Sequence, residues 1–180
     1  MKNTKPLSVE IEGKGKSPVE LFDLAKELLR NSVRSEIIYL DGVVRLYGIW
    51  EPDIEHSVKA LEAHLGLAIS INNLKVQYIT ENNQLLEPIM ALAVKLREEY
   101  AGDLVGDISK RRGLIMGMKA SDNGLRIILS HVPLSELIGY TSDLSKITAG
   151  TAKAKVNFHK YELFPKGPMP DEPVSMAVRY

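Results

Sequence analysis

The chain has no cysteine, one tryptophan and three phenylalanines among its 180 residues. Without thiols it has no disulfides, no thiol nucleophile and no zinc site that depends on a Cys ligand. It also lacks net charge, with 23 Lys and Arg against 23 Asp and Glu. No global field therefore draws it to nucleic acid, and any such contact has to come from a local patch. No apolar run approaches the roughly 20 residues of a membrane span. The opening MKNTKPLSVEIEG lacks the apolar core of a signal peptide. A cytoplasmic protein without membrane contact is the expectation.

Catalytic signatures are equally sparse. Gly15-Lys16-Ser17 matches the end of a phosphate loop, but the glycine needed five residues earlier is Glu10, so a solvated strand-to-helix loop is the reading. His56 and His64 lie two turns apart on one helix without a third ligand, and His131 and His159 stand alone. There is no GxSxG and no Ser/His/Asp spacing. Paired carboxylates such as Glu98-Glu99 and Asp103/Asp107 fall on helix surfaces. No enzyme, bound nucleotide, cofactor or metal is expected.

What is present is a pattern. Leu7–Lys14 alternates as a half-buried strand does. Ser17 then precedes Pro18 as an N-cap, with Leu21, Leu24, Ala25 and Leu28 forming an apolar stripe. Asp41-Gly42 separates the β-prone runs Glu36–Leu40 and Val43–Trp50, a strong hairpin signal. Pro52 opens a second helix carrying Ile54, Val58, Leu61 and Leu65, which Gly66 ends. The apolar stretch Leu67–Ile79 completes strand–helix–strand–strand–helix–strand.

The second half repeats this order. Pro88–Leu96 reads as a strand and Glu98–Lys110 as a helix. Leu114–Lys119 and Leu125–Val132 form a hairpin around Asn123-Gly124, Pro133–Ile147 is helical and Lys153–Tyr161 is the last strand. The repeat is 82 residues, from Asp41 to Asn123 and from Pro6 to Pro88. Two copies of one fold explain it better than one large sheet. The fold class is α+β: two tandem ferredoxin-like βαββαβ domains with antiparallel sheets, at 1–83 and 84–163. ENNQLL (81–86) is read as the joint, and a Pro-rich tail (164–180) as extended or disordered. The same element order occurs in RNA-binding sheets that stack bases on aromatics, but VVRLYGIW and LRIILSHV lack that aromatic pattern.

Lys110-Arg111-Arg112-Gly113 admits two readings: cations complementing a helix C-terminus, or phosphate-binding side chains on a loop. Lys153, Lys155, Asn157, His159 and Tyr161 share one face of the last strand. Ala154, Val156 and Phe158 share the other, so an open, weakly basic sheet face is predicted.

The second half resembles domain V of elongation factor G and related translocases. LLEPIMALAV, EEYAGDLVGDISKRRGLIMGM, VPLSELIGYTSDLSKITAG and FHKYELFP carry the likeness, in order, across about residues 85–165. The first half is similar, less strongly, to domain III of that family, at its strand–helix start, at GIWEPDIE and at KVQYITE. Trp50, Pro52 and Asp53 depart from the family's pattern, as do Ser145 and Lys146, whereas Gly48, Glu51, Thr148 and Gly150 keep it.

The resemblance implies a GTPase-less arrangement in which a domain III-like unit runs directly into a domain V-like one. The GTPase domain, domain II and domain IV are absent from it. It implies contact with RNA of the large ribosomal subunit through Lys110, Arg111, Arg112, Lys146 and Thr148, with His159 and Tyr161 as secondary contacts. The role would be a ribosome-binding accessory in translation. Two rival readings stand beside it: a protein-interaction module that self-associates through its sheets, and a C-terminal piece of a larger factor.

Overall fold

A computed structural model describes residues 4–165, so most of the tail read at 164–180 lies outside the described residues. The chain divides into two units between Gln77 and Tyr78. In the first, β1 (Leu7–Gly13) leads to α1 (Pro18–Leu29). The Ser17 hydroxyl accepts the Glu20 N–H (3.4 Å) and the Glu20 carboxylate accepts the Ser17 N–H (2.9 Å). This reciprocal cap satisfies donors the helix start would leave open. The Ser17 N–H and hydroxyl both donate to the Glu20 carboxylate.

β2 (Ser35–Leu40) and β3 (Val43–Gly48) follow. Asp41 and Gly42 both have positive φ, 54° and 80°, as a type I′ turn demands. Next come α2 (Glu51–Leu65) and β4 (Ile69–Val76). The sheet order β2-β3-β1-β4 is antiparallel throughout. Leu7, Val9, Ile11, Val44 and Leu46 from the strands are buried, as are Leu21, Ala25, Ile54, Val58 and Leu61 from the helices. Each such side chain contributes about 1.5–3 kcal/mol when fully buried, less for Ala.

Two of the departures at the start of α2, Trp50 and Asp53, have structural explanations. Trp50 is buried. Asp53 takes a two-point contact from Arg34 (2.6 and 3.0 Å), which ties the helix start to the segment entering β2.

The second unit opens with a hairpin. β5 (Ile79–Glu81) pairs with the start of β6 (Gln84–Arg97) across Asn82-Asn83, both at positive φ. The segment read as the inter-domain joint is therefore a tight turn, and the division falls earlier than the 83/84 boundary. A 3-10 turn (Glu98–Tyr100), α3 (Ala101–Lys110), β7 (Leu114–Ser121) and β8 (Leu125–Pro133) follow. The region read as one helix from Pro133 to Ile147 is broken. A 3-10 turn (Leu134–Leu137) stops at Gly139 (φ 73°), and α4 (Tyr140–Ile147) starts afresh. β9 (Lys153–Leu163) closes the sheet, giving the order β9-β6-β8-β7, with β5 added to β6. Both units are ferredoxin-like.

Two bulges shape this sheet. On β9, Ile89 faces Lys160 while Met90 faces Phe158, leaving His159 as the extra residue. On β7, the register slips between Ile115 and Gly117. The end of α3 is equally particular. Gly113 N–H reaches back to Ile108 O (2.9 Å) while Arg112 holds the left-handed position (φ 57°), the six-residue closure of a Schellman end. A Cβ on Gly113 would meet Ile108 Cγ2 at 2.5 Å and Ile108 O at 2.7 Å. Gly113→Ala is expected to cost roughly 1–3 kcal/mol through this overpacking. A lower urea midpoint at unchanged m value is the readout.

Candidate functional site

The residues singled out for RNA contact separate into two groups. Arg111 is held inside the second unit: it donates to Asp107 (2.9 Å) on α3, to Glu136 O (2.7 Å) and to Asp143 (2.8 Å) on α4. Its guanidinium also lies over the Tyr140 ring, 5.0 Å from the centroid. Arg112 makes a fork-to-fork contact with Glu87 on β6, 2.8 Å at both oxygens, and a further bond to Glu136 (3.1 Å). The Glu87 side chain is only 4% exposed. An ionised carboxylate so placed needs this bidentate partner to offset its lost hydration. Both arginines therefore brace the fold, each guanidinium held by carboxylate partners within the second unit.

Thr148 and Tyr161 leave the surface as well. Thr148 is fully buried, and its hydroxyl donates to Leu144 O (2.7 Å) at the end of α4. Tyr161 is carried to the covered side because the extra residue at His159 reverses the alternation of β9 beyond it. Burial pushes its hydroxyl pKa up to about 12. Strand period alone placed Tyr161 with Lys153 and Lys155, and the bulge overrules it.

Three of the named residues remain at the surface. Lys110 is exposed at the end of α3. Lys146 is exposed and bonds Asp143 at 3.2 Å. His159 is exposed, and its ring stacks on His131 of β8 with centroids 4.0 Å apart at 26°. Ala91 of β6 pairs with His131 on one side and with Asn157 on the other.

The closeness of His131 to His159 was not legible in the sequence because it depends on the register of three strands. Burial, followed by the positive neighbours His159 and Lys160, lowers the His131 pKa. Lys95, Lys119, Lys153 and Lys155 are exposed. Lys95 and Lys153 are direct cross-strand partners.

Three comparisons bear on this chain. Residues 84–172 match the family described as elongation factor G C-terminus. The elongation factor G of Amoebophilus asiaticus is 46% identical over 82 residues, which are 46% of this chain and 11% of that protein. A crystal structure of a Thermus thermophilus protein is similar in fold, with TM-score 0.58 and 15% identity, over 91% of this chain and 41% of that one. The chain thus spans a small part of the relatives it matches. Residues 84–172 fit an elongation factor G C-terminal region, and the match begins where β6 does.

Arg112→Ala is expected to destabilise the second unit by about 3 kcal/mol by stranding Glu87. Adding Glu87→Gln should restore part of that loss, because the uncompensated charge is then gone; paired denaturation curves decide it. The Arg111 hydrogen bond holds the Asp143 carboxyl below its ordinary 3.8. Its stabilisation is present above that value and fades as pH falls through the lower folded value. Acid titration of stability should accordingly flatten in Asp143→Asn.

Proposed function

We propose that this chain is a translation accessory without GTPase activity, acting in the cytoplasm by binding RNA of the large ribosomal subunit. The match of residues 84–172 to the elongation factor G C-terminus carries the reading. The surface supports it in a different way from the arginine pair. Lys110 and Lys146 stand exposed on either side of the Arg111–Asp143 bridge. That places two flexible cations on a rigid support, where they act as phosphate contacts. In this reading the chain works by binding and positions no reacting group.

One observation favours a second reading. β2 is an edge strand of regular register, and it exposes Ile38, Tyr39 and Leu40. Such an edge is a template for pairing with a second copy.

Co-sedimentation with intact ribosomes and separated subunits, at low and moderate salt, tests the first reading. Pelleting with the large subunit, weakened by Lys110→Glu/Lys146→Glu and by added salt, is the expected result. Absence of pelleting at low salt, together with a dimer by light scattering that Ile38→Lys/Leu40→Lys abolishes, would instead establish the self-associating module.

A further inference from the structure

We propose that the open face of the second sheet binds single-stranded RNA, its phosphates on a row of lysines and a base against the stacked histidines. The proposal rests on the translation reading only for the source of that RNA.

The first observation is a like-charge row. Lys95 of β6 pairs across the sheet with Lys153 of β9 on one side and with Ile127 of β8 on the other. Ile127 in turn pairs with Lys119 of β7. Three lysines therefore lie along one cross-strand line, about 15 Å from first to last at the usual strand spacing. Lys155 is next to Lys153 on the same side of β9. None of these four lysines is in an ion pair among the described residues. The stretches Ala91–Arg97, Leu114–Ser121, Leu125–Pro133 and Lys153–His159 contain no Asp or Glu.

Like charges placed directly opposite across a sheet are destabilising. A chain with zero net charge has carboxylates enough to interleave them, as it does at Arg45–Glu10 on the first sheet. Here it does not. A polyanion supplies the missing countercharge.

The second observation is independent of charge. The His131 and His159 rings stack, carried on the two strands that flank β6. Ala91 and Ala93 keep the middle of the face low between this pair and the lysines. Aromatic rings on a sheet beside a basic track are how single strands are held, with bases stacked and phosphates on cations. A duplex buries its base faces and leaves the histidine platform unused. An acidic protein surface satisfies the lysines alone.

The test uses the full chain and a short fluorescein-labelled single-stranded oligouridylate, read by fluorescence anisotropy across a salt series. Lys95→Glu/Lys153→Glu is expected to weaken binding at least tenfold. It should also make the salt dependence shallower by roughly 1–1.5 in slope, because each lost phosphate contact removes about 0.7. His131→Ala/His159→Ala should weaken binding about tenfold, as loss of one stacked base does, with the salt slope unchanged. Lys119→Glu/Lys155→Glu repeats the charge test should the first pair melt below the wild type.

No binding at low salt, equal binding by the charge-reversed variants, or a duplex bound as tightly as the single strand overturns the proposal. Ribosome pelleting without oligonucleotide binding sinks this proposal alone. Oligonucleotide binding without pelleting leaves it standing and sinks the ribosome reading.

Discussion

A carboxylate removed from water has to be matched where it lies, and Glu87 sets that requirement for the second unit. Arg112 meets it with both arms of its guanidinium. To reach, Arg112 must leave α3 in the left-handed conformation, which a branched or bulky residue resists. Gly113 must then pass against Ile108 with no side chain. The same guanidinium touches Glu136, and its neighbour Arg111 joins α3 to α4 through Asp107 and Asp143. The partner of this desolvated charge thus sits where α3 ends and β7 begins, next to the arginine that cross-braces α3 and α4. Arg-Arg-Gly serves as a joint, although its composition is that of a phosphate loop.

Features written in neighbouring residues were legible. Asp41-Gly42, the Ser17 N-cap and the Gly66 helix end each depend on groups within a few positions, and each appears in the structure as read. What was hidden depends on register or on distant partners. Asn82-Asn83 could be recognised as a hairpin only with the knowledge that Ile79–Glu81 joins β6. The bulge at His159 has no local signature, yet it reverses the side on which Tyr161 falls. The arginines were legible as cations but not as paired cations, since Glu87 and Asp143 lie 25 and 32 residues away. The basic open face was half visible, in the alternation of β9 alone.

The charges of the second unit therefore divide by partner. Those that brace the fold are arginines, held by planar two-point contacts that suit partial burial. Those on the open sheet without an ion pair among the described residues are lysines, flexible and strongly hydrated: Lys95, Lys119, Lys153 and Lys155. This division lets a chain with no net charge keep a binding surface. Its balance is global, whereas recognition is decided within roughly a Debye length.

The slip in register between Ile115 and Gly117 has a consequence for solubility. β7 is the free border of its sheet, and it shows Leu114, Met116 and Met118 to solvent at 64, 53 and 45%. A straight border of that composition would nucleate stacking of one molecule on the next. The extra residue bends the strand and puts its free amides out of step with any incoming partner, and Lys119 adds a charge beside the kink. The border can stay greasy without becoming adhesive. β2, in the other unit, has no such interruption.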